Sequence, residues 1–268
     1  MMAVVFLTVA FIIPGAWGEG ASWDCPECGR TGNTGLFCGN CGHSAPRGET
    51  KTQISVGAMV TFGTYEQDNN VVNGPEAIEW IVLDYDEKEH KALLLSKYGL
   101  DVMPYNQTKK EMTWEACTLR QWLNGEFLQY AFSTREQNAI QMTATDNSAS
   151  QKYSEWKTNG GNQTQDQIFL LSYAEANRFL GVEYSKKNIK ACVTPTAYAI
   201  SRGAMTTDSN DTSDGESAAV WWWLRSPGSN QRSAATVNIS GSLRSFTVNN
   251  NTAVVRPALW VNTDSGIF

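Results

Sequence analysis

The stretch "WWWLRSPG", residues 221–228, decides the fold because it sets three tryptophans side by side. Neighbouring side chains on a strand point to opposite faces of a sheet, and on a helix they fan around the axis. Three adjacent tryptophans therefore cannot all enter one core. We expect Trp222 or its two neighbours to be buried, and the remainder to pack in a second layer or to meet solvent.

The composition predicts a folded protein with one domain of about 200 residues and a small additional module. The 268 residues are 41% hydrophobic and include 10 Trp, 9 Tyr and 10 Phe, which is enough apolar area for a core. The formal net charge is −6, and beyond residue 58 there is no long run of either sign. Such scattered charge attracts neither nucleic acid nor an anionic membrane surface, so neither is expected as a partner.

Residues 1–18, "MMAVVFLTVAFIIPGAWG", carry no charged side chain and are predicted to be a signal peptide. The apolar run at residues 4–13 has the length of a signal-peptide core and is too short to span a bilayer comfortably. Ala16, Trp17 and Gly18 give the pattern at which signal peptidase cleaves. We therefore expect a secreted or cell-surface protein. Because no Lys or Arg precedes the apolar run, two alternatives stay open: a true start upstream, or an uncleaved signal anchor, which is the one expected route to a membrane. A buried N-terminal helix is the alternative to export.

Two CxxC pairs, Cys25 with Cys28 and Cys38 with Cys41, predict a zinc ribbon over residues 19–45. Zinc prefers four thiolates at the corners of a tetrahedron, and a CxxCG turn places two sulfurs on one side of the ion. The segment is too small to bury a core, so structural zinc would supply its folding free energy. Two disulfides are the alternative, since an exported chain can form them.

The main domain, residues 56–268, follows a polar linker at residues 46–55 and is expected to mix strands with short helices. Its first half contains strand patterns, with Ile78, Trp80 and Val82 on one face of the second strand. Its second half alternates apolar and polar residues in short segments separated by turns, which is typical of antiparallel strands. The predicted fold class is α+β.

Helix signals lie in the middle of the domain. A helical repeat of apolar residues follows Thr113, which is the expected N-cap. Ser133 and Ser172 each stand three residues ahead of a glutamate, and this capping-box pattern predicts a helix start after each serine. The polar stretch at residues 143–167 is expected to be a long surface loop.

Six motifs, in order "VTFGTYEQD", "IEWIVLD", "LLLSKYGLD", "TWEACTLRQWLN", "WWWLRSPG" and "VRPALWVN", closely resemble the bacterial DUF6273 domain. That domain is common in exported proteins and often carries a zinc ribbon. The resemblance implies a C-type lectin-like fold with short helices and antiparallel sheets, related to formylglycine-generating enzymes and to the variable proteins of diversity-generating retroelements. In that fold the first and last strands pair, which would bring "MVTFGTYE" against "ALWVN".

The chain offers no recognisable catalytic constellation, so we expect a non-catalytic extracellular ligand-recognition module. The histidines, His43 and His90, fall in the ribbon and in a turn, and no cysteine follows Cys192, as formylglycine chemistry would need. The acidic residues of "TTDSNDTSDGES", residues 206–217, are typical of a solvated loop rather than a calcium site. The alternative is a cell-envelope hydrolase or modifying enzyme, which a pocket gathering two or more carboxylates would favour.

The resemblance implies a binding surface on the late hairpins, residues 229–251, where amide, guanidinium and hydroxyl groups accompany one aromatic ring. The expected ligand contacts are Asn230, Arg232, Asn238, Ser240, Arg244, Phe246 and Asn249. The expected partner is an unknown surface protein or glycan, and an open face of such residues would favour binding over catalysis. Ordinary solvated hairpins are the alternative.

Two further pairs of residues carry predictions. Arg225 and Arg256 each follow apolar runs, and we expect them to act as structural clamps on buried carbonyls or acids. Cys117 and Cys192 lie outside the ribbon, and they either form a disulfide or remain two thiols.

Overall fold

The computed structural model describes residues 24–25, 27–33, 38–41, 54–206 and 219–268. The chain divides into two compact units, residues 1–52 and 53–268. The predicted signal peptide, most of the predicted linker and the acidic residues Asp208, Asp211 and Asp214 lie outside the described residues. No helix within the described ranges is both long and apolar enough to cross a membrane.

The larger unit is built from short strands and short helices. Its described strands are β1 (Met59–Tyr65), β2 (Glu76–Asp86), β3 (Lys91–Ser96), β4 (Asp101–Val102), β5 (Thr143–Thr145), β6 (Thr164–Asp166), β7 (Trp222–Pro227), β8 (Ser233–Val237), β9 (Leu243–Thr247), β10 (Val254–Val255) and β11 (Ala258–Asn262). Its described α-helices are α1 (Thr118–Trp122), α2 (Leu128–Ala131), α3 (Thr134–Ala139), α4 (Tyr173–Leu180) and α5 (Ala197–Ser201). A π-helical turn, Leu123–Phe127, joins α1 to α2. The predicted α+β class is confirmed.

The first sheet is antiparallel, with strand order β1, β2, β3, β11. On β2, Ile78, Trp80 and Val82 are buried on one face, as their alternation predicts. The Trp80 indole N–H donates to the Phe62 carbonyl at 2.7 Å, so the largest side chain on this face also satisfies its polar atom.

The expected pairing of the first and last strands is wrong. Strand β11 pairs with β3, placing Ala258 opposite Leu95, whereas β1 forms the outer edge and pairs with β2. Strand β3 carries five consecutive buried residues, and its buried backbone N–H and C=O groups are paired with β2 on one edge and with β11 on the other. Strand β1 has a register shift containing Gly63 at φ +71°, a bulge of the kind found at sheet edges.

The second sheet has strand order β4, β10, β7, β8, β9, and all its pairs are antiparallel except β10 with β7. Every residue of β7 and β8 is buried. The expected alternation of apolar and polar faces on β8 is therefore wrong, because β8 lies between two strands with both of its faces covered. Thr236 is fully buried on it.

The three tryptophans pack on two faces: Trp221 and Trp223 both contact Phe246, and Trp222 lies on the opposite face. Trp222 and Trp223 are both fully buried, and their indole N–H groups donate to the carbonyls of Ala191 and Met103 at 3.0 and 2.9 Å. Trp221 is half-buried. The expectation of two packed layers is confirmed, and β7 is the strand between them.

The helix predicted after Thr113 is interrupted. Thr113 makes no side-chain cap, and after a 3-10 turn at Trp114–Ala116 the Cys117 sulfur accepts the Arg120 N–H at the start of α1. The Asn124 side-chain amide donates to the Ile168 carbonyl at 2.8 Å, and its oxygen accepts the backbone N–H groups of Gln167 and Ile168. Asn124 belongs to the π turn, which leads into α2.

Both predicted capping boxes are confirmed, at Ser133 for α3 and at Ser172 for α4. The long surface loop predicted for residues 143–167 is confirmed for residues 146–163, which hold one 3-10 turn and no strand, but it is wrong at its two ends, which pair as β5 and β6 around a buried carboxylate. Asp166 is fully buried and accepts hydrogen bonds from Arg120 at 2.6 Å and from the Trp114 indole at 3.0 Å. Buried charges need such partners, so here a hydrophilic sequence marks an interior polar cluster.

Candidate functional site

An open cavity of about 630 Å³ lies among the described residues of the larger unit. It lies where the end of β1, strand β4, the helical segment at residues 122–130 and helix α5 meet. We call it the Tyr65 cavity. Its volume falls within the range of roughly 300–1,000 Å³ that is usual for small-ligand sites.

The floor of the Tyr65 cavity is a buried acid and phenol pair. The Tyr65 hydroxyl donates to Asp101 at 2.7 Å, and the Val102 backbone N–H donates to the same carboxylate at 2.7 Å. Burial raises the pKa of the Asp101 carboxyl, and burial with the neighbouring carboxylate raises the pKa of Tyr65. Arg202 approaches Asp101 at 3.6 Å, but its side chain is 50% exposed. The floor therefore combines a buried carboxylate with a loosely held cation.

Two tyrosine rings of the cavity lining lie nearly at right angles to each other. The rings of Tyr65 and Tyr198 lie 6.0 Å apart at 78°. Tyr198 lies in the first turn of α5, which is fixed by its N-cap, because the Thr196 hydroxyl accepts the Ala199 N–H at 3.0 Å. The Arg202 guanidinium lies over the Tyr198 ring at 6.0 Å. Two perpendicular rings thus border the floor.

A further part of the lining comes from one side of the helical segment. Trp122, Glu126 and Tyr130, four residues apart, all line the cavity. In a regular α-helix every fourth residue drifts by about 40° around the axis. The π turn contains Glu126 and widens that part of the helix, which offsets the drift. Tyr130 is 78% exposed and therefore accessible to a ligand.

The lining of the cavity carries more negative than positive charge. It includes the carboxylates of Glu66, Asp101 and Glu126, and the single guanidinium of Arg202. Two or more carboxylates in one pocket are the feature expected of the enzyme alternative. By contrast, a smaller depression beside the late hairpins includes one carboxylate, Glu111.

Glu66 also belongs to an exposed acidic group with Asp68 and Glu76, whose oxygens lie within 4.8 Å of one another. The carboxylates of this group accept backbone N–H groups of their own loop, for example Gln67 to Glu76 at 2.7 Å and Asn70 to Glu66 at 2.9 Å. These bonds account for the clustering of the acids by local loop structure.

The late-hairpin residues predicted to bind ligand lie near both ends of β8 and along β9. Asn230 and Arg232 are exposed in the turn before β8, and Asn249 is exposed after β9. Asn238 and Ser240 lie in the turn at the other end of β8. The ligand role of these residues, and the expectation that they share one exposed face, both stay predictions.

Several of those side chains are already engaged in structural contacts. The Asn238 side-chain oxygen is buried and accepts the backbone N–H of Ser242 at 2.8 Å. Phe246 stacks on Trp221 with ring centroids 4.1 Å apart. Arg244 donates to the Leu243 carbonyl at 2.8 Å. The sequence predicted that these side chains face solvent, because it does not show which polar groups form hydrogen bonds within a turn.

Arg225 acts as a clamp, as predicted. Its buried guanidinium donates to both oxygens of Glu175, one of them at 2.9 Å, and to the Leu170 carbonyl at 2.8 Å. Arg256 is equally buried, and its Nε donates to the Ser96 carbonyl at 2.9 Å, yet its Nη1 has no hydrogen-bond partner. Burial lowers the pKa of Arg256 to about 9.

In the smaller unit, the four cysteine sulfurs come together. The ligand atoms of Cys25, Cys28, Cys38 and Cys41 lie within 4.8 Å of one another, the arrangement of a four-thiolate metal site. The sulfurs of Cys25 and Cys41 are 3.5 Å apart, as are those of Cys28 and Cys38, far beyond the S–S bond length of about 2.05 Å. Hydrogen bonds from the Asn40 side chain and from the backbone lower the pKa of the Cys28 thiol to about 6, which favours the thiolate that metals bind.

The other two cysteines are separate thiols. Cys117 is buried at the start of α1, where burial raises the pKa of its thiol to about 12. The Cys192 sulfur lies 3.2 Å from the Ile239 carbonyl. The sequence left open a Cys117–Cys192 disulfide or two thiols, and in the structure the two cysteines are not bridged.

Sequence reasoning missed the Tyr65 cavity. Its side chains come from four segments that are distant in the chain, and none of them forms a recognisable motif. The four-residue spacing of Trp122, Glu126 and Tyr130 was the one available signal, and such a pattern is also typical of an ordinary helix face.

Comparison with known proteins gives one match. A family model described as "Domain of unknown function (DUF6273)" matches residues 89–263, well over half of the chain. No curated protein and no solved structure matches the chain.

Proposed function

The chain belongs to the DUF6273 family, and we propose that it is a non-catalytic extracellular ligand-recognition module whose ligand enters the Tyr65 cavity. The observation that carries this proposal is the lining of that cavity, which combines four aromatic side chains with a buried carboxylate and a half-exposed guanidinium. Ligand sites combine apolar walls with a few placed polar groups in this way. The proposal moves the main contact surface from the late hairpins to this cavity.

The scaffold we propose is a C-type lectin-like domain, supported by its short helices, its antiparallel sheets and the six motifs that resemble that group. The departure is β11, which pairs with β3 instead of β1. The partner we propose is a glycan or a surface protein. A Trp or Tyr ring offers an apolar face to a sugar or side chain, and carboxylates accept hydrogen bonds from hydroxyl and amine groups.

For the smaller unit we propose a zinc ribbon that tethers the module or adds a second contact. The cluster of four cysteines supports zinc, since thiolate ligands of this number and spacing suit a closed structural site. Export through the signal peptide at residues 1–18 completes the proposal, supported by the sequence pattern of that segment.

An array of bacterial and host glycans and surface proteins, probed with the purified protein, tests the recognition function. Trp122→Ala with Tyr130→Ala should abolish a wild-type signal, because both rings line the cavity. The matched control is Asn230→Ala with Arg232→Ala, two exposed residues of the late hairpins. Loss of the signal in the control variant, with the cavity variant binding normally, would move the site back to the hairpins.

A cell-envelope hydrolase is the second candidate, and the three carboxylates of the cavity favour it. Burial raises the pKa of Asp101, as general acids require. Recognition is preferred because Glu126 is exposed, whereas catalytic carboxylates usually act where water is excluded. Incubation of array ligands with the protein decides between the two. Cleavage that Asp101→Asn removes would establish the enzyme.

A further inference from the structure

We propose that the Tyr65 cavity recognises an organic ammonium group, such as a quaternary amine or the amine of an amino sugar. This inference deepens the recognition function and rests on the cavity being the ligand site. It is carried by three features of the lining: perpendicular aromatic rings, an excess of carboxylates, and an arginine of the protein that already lies in the position of a bound cation.

The aromatic rings provide the first feature. A cation is attracted to the face of a Tyr or Trp ring when it lies within about 6 Å of the centroid, and cages of several rings bind quaternary ammonium groups. Tyr65 and Tyr198 form two perpendicular sides of the cavity. Trp122 and Tyr130 line it from the helical segment. A ligand between these walls would meet rings from more than one direction.

The carboxylates provide the second feature. Three acids and one guanidinium line the cavity, so its formal charge is negative. Asp101 is 4% exposed, and a buried carboxylate gains most from a cation beside it, because interactions between charges are stronger where water is excluded. An acidic sugar would meet repulsion from the same groups.

Arg202 provides the third feature. Its guanidinium lies over Tyr198 at 6.0 Å and beside Asp101 at 3.6 Å, so the protein itself shows that this position suits a cation. The contact is loose, because the side chain is half exposed and an ion pair of this kind contributes little. An incoming ammonium would compete with Arg202 for the ring and the carboxylate.

This competition can be tested, because removing Arg202 should tighten ammonium binding whereas removing Asp101 or Trp122 should weaken it. Binding of choline chloride, glucosamine and N-acetylglucosamine to the purified protein is measured by titration calorimetry. Choline and glucosamine should bind, whereas N-acetylglucosamine, which has no charged amine, should not. The relative affinities for choline and glucosamine identify the quaternary or the primary amine as the preferred group.

The variants make the inference specific. Arg202→Ala should tighten ammonium binding several-fold, because the competing cation is gone, whereas Asp101→Asn and Trp122→Ala should each weaken it about tenfold. Arg232→Ala, at an exposed arginine outside the cavity, should change nothing. Thermal melts of each variant confirm that it is folded.

Three results would overturn the ammonium assignment: no binding of either amine, equal binding of N-acetylglucosamine, or weaker binding by Arg202→Ala. None of these results removes the recognition function if an array ligand still depends on Trp122 and Tyr130. Array binding that survives loss of both rings would instead refute the cavity as the site, and the ammonium inference with it.

Discussion

The two buried arginines show how differently one residue type can serve a fold. Arg225 meets a carboxylate and two backbone carbonyls, those of Leu170 and Asp146, so its charge is compensated. Arg256 lies over the Trp222 ring at 5.1 Å and reaches the Ser96 carbonyl, but one of its nitrogens is buried without a partner. Burying an uncompensated charge destabilises a protein, and its lowered pKa expresses the same cost.

This contrast predicts opposite consequences for the same exchange. Arg225→Met should lower the free energy of unfolding by about 3 kcal/mol or more, because it leaves Glu175 and buried carbonyls without their partner. Arg256→Met should change it by about 1 kcal/mol or less, since removing the buried charge offsets the lost bond to Ser96. Urea unfolding at pH 7 measures both. Equal losses in the two variants would contradict the distinction.

At the scale of elements, the capping box of α4 does more than begin a helix. Glu175 closes the box with Ser172 and is also the ion-pair partner of Arg225, so the start of α4 is joined to β7. The Ser172 hydroxyl also donates to Gln151 at 2.8 Å. The capping box of α3 at Ser133 is exposed by comparison.

The two serines therefore form a matched pair. Ser133→Ala should cost about 1 kcal/mol of unfolding free energy, the usual loss for an N-cap. Ser172→Ala should cost about 2 kcal/mol, at the upper end of that range, because the hydroxyl is buried and its loss also leaves the Gln151 side chain without that bond. The unfolding transition in urea reports both values, and an equal cost at the two sites would refute the added contribution of burial and of the Gln151 bond.

Local rules predicted the elements whose partners are near in sequence. The alternation of Ile78, Trp80 and Val82 was sufficient because the strand has one buried face. The same rules failed at the two ends of residues 143–167, where polar residues surround the buried Asp166, and for β8, which is covered on both faces. In these segments tertiary contacts decide the burial, and a single sequence does not reveal them.

At the scale of the whole molecule, the candidate site illustrates the same limit. The cluster of four cysteines could be predicted because these residues lie within a span of 17 residues, in two recognisable CxxC turns. The Tyr65 cavity could not, since it requires β1, β4, the helical segment and α5 to meet. Only the tertiary fold brings these four elements together.

The smaller unit provides a prediction about metal content. Purified residues 19–268 should carry about one zinc ion per chain, released when the thiols are modified, because four sulfurs satisfy zinc completely. Cys28→Ser should lose the metal, whereas Cys117→Ser, outside the cluster, should retain it. Elemental analysis measures both. Absence of zinc from the wild-type protein, together with two disulfides by mass spectrometry, would overturn the ribbon.

The role of the Tyr65 cavity is tested most directly by the indole N–H signals of the tryptophans in a ¹H–¹⁵N spectrum. Trp122 lines the cavity, whereas Trp221 stacks on Phe246 among the late hairpins, so the two indoles report on the two competing surfaces. Trp122→Phe and Trp221→Phe assign the signals. We predict that choline or glucosamine shifts the Trp122 signal and leaves Trp221 unchanged. A shift of Trp221 with Trp122 unmoved would contradict the assignment of ligand recognition to this cavity.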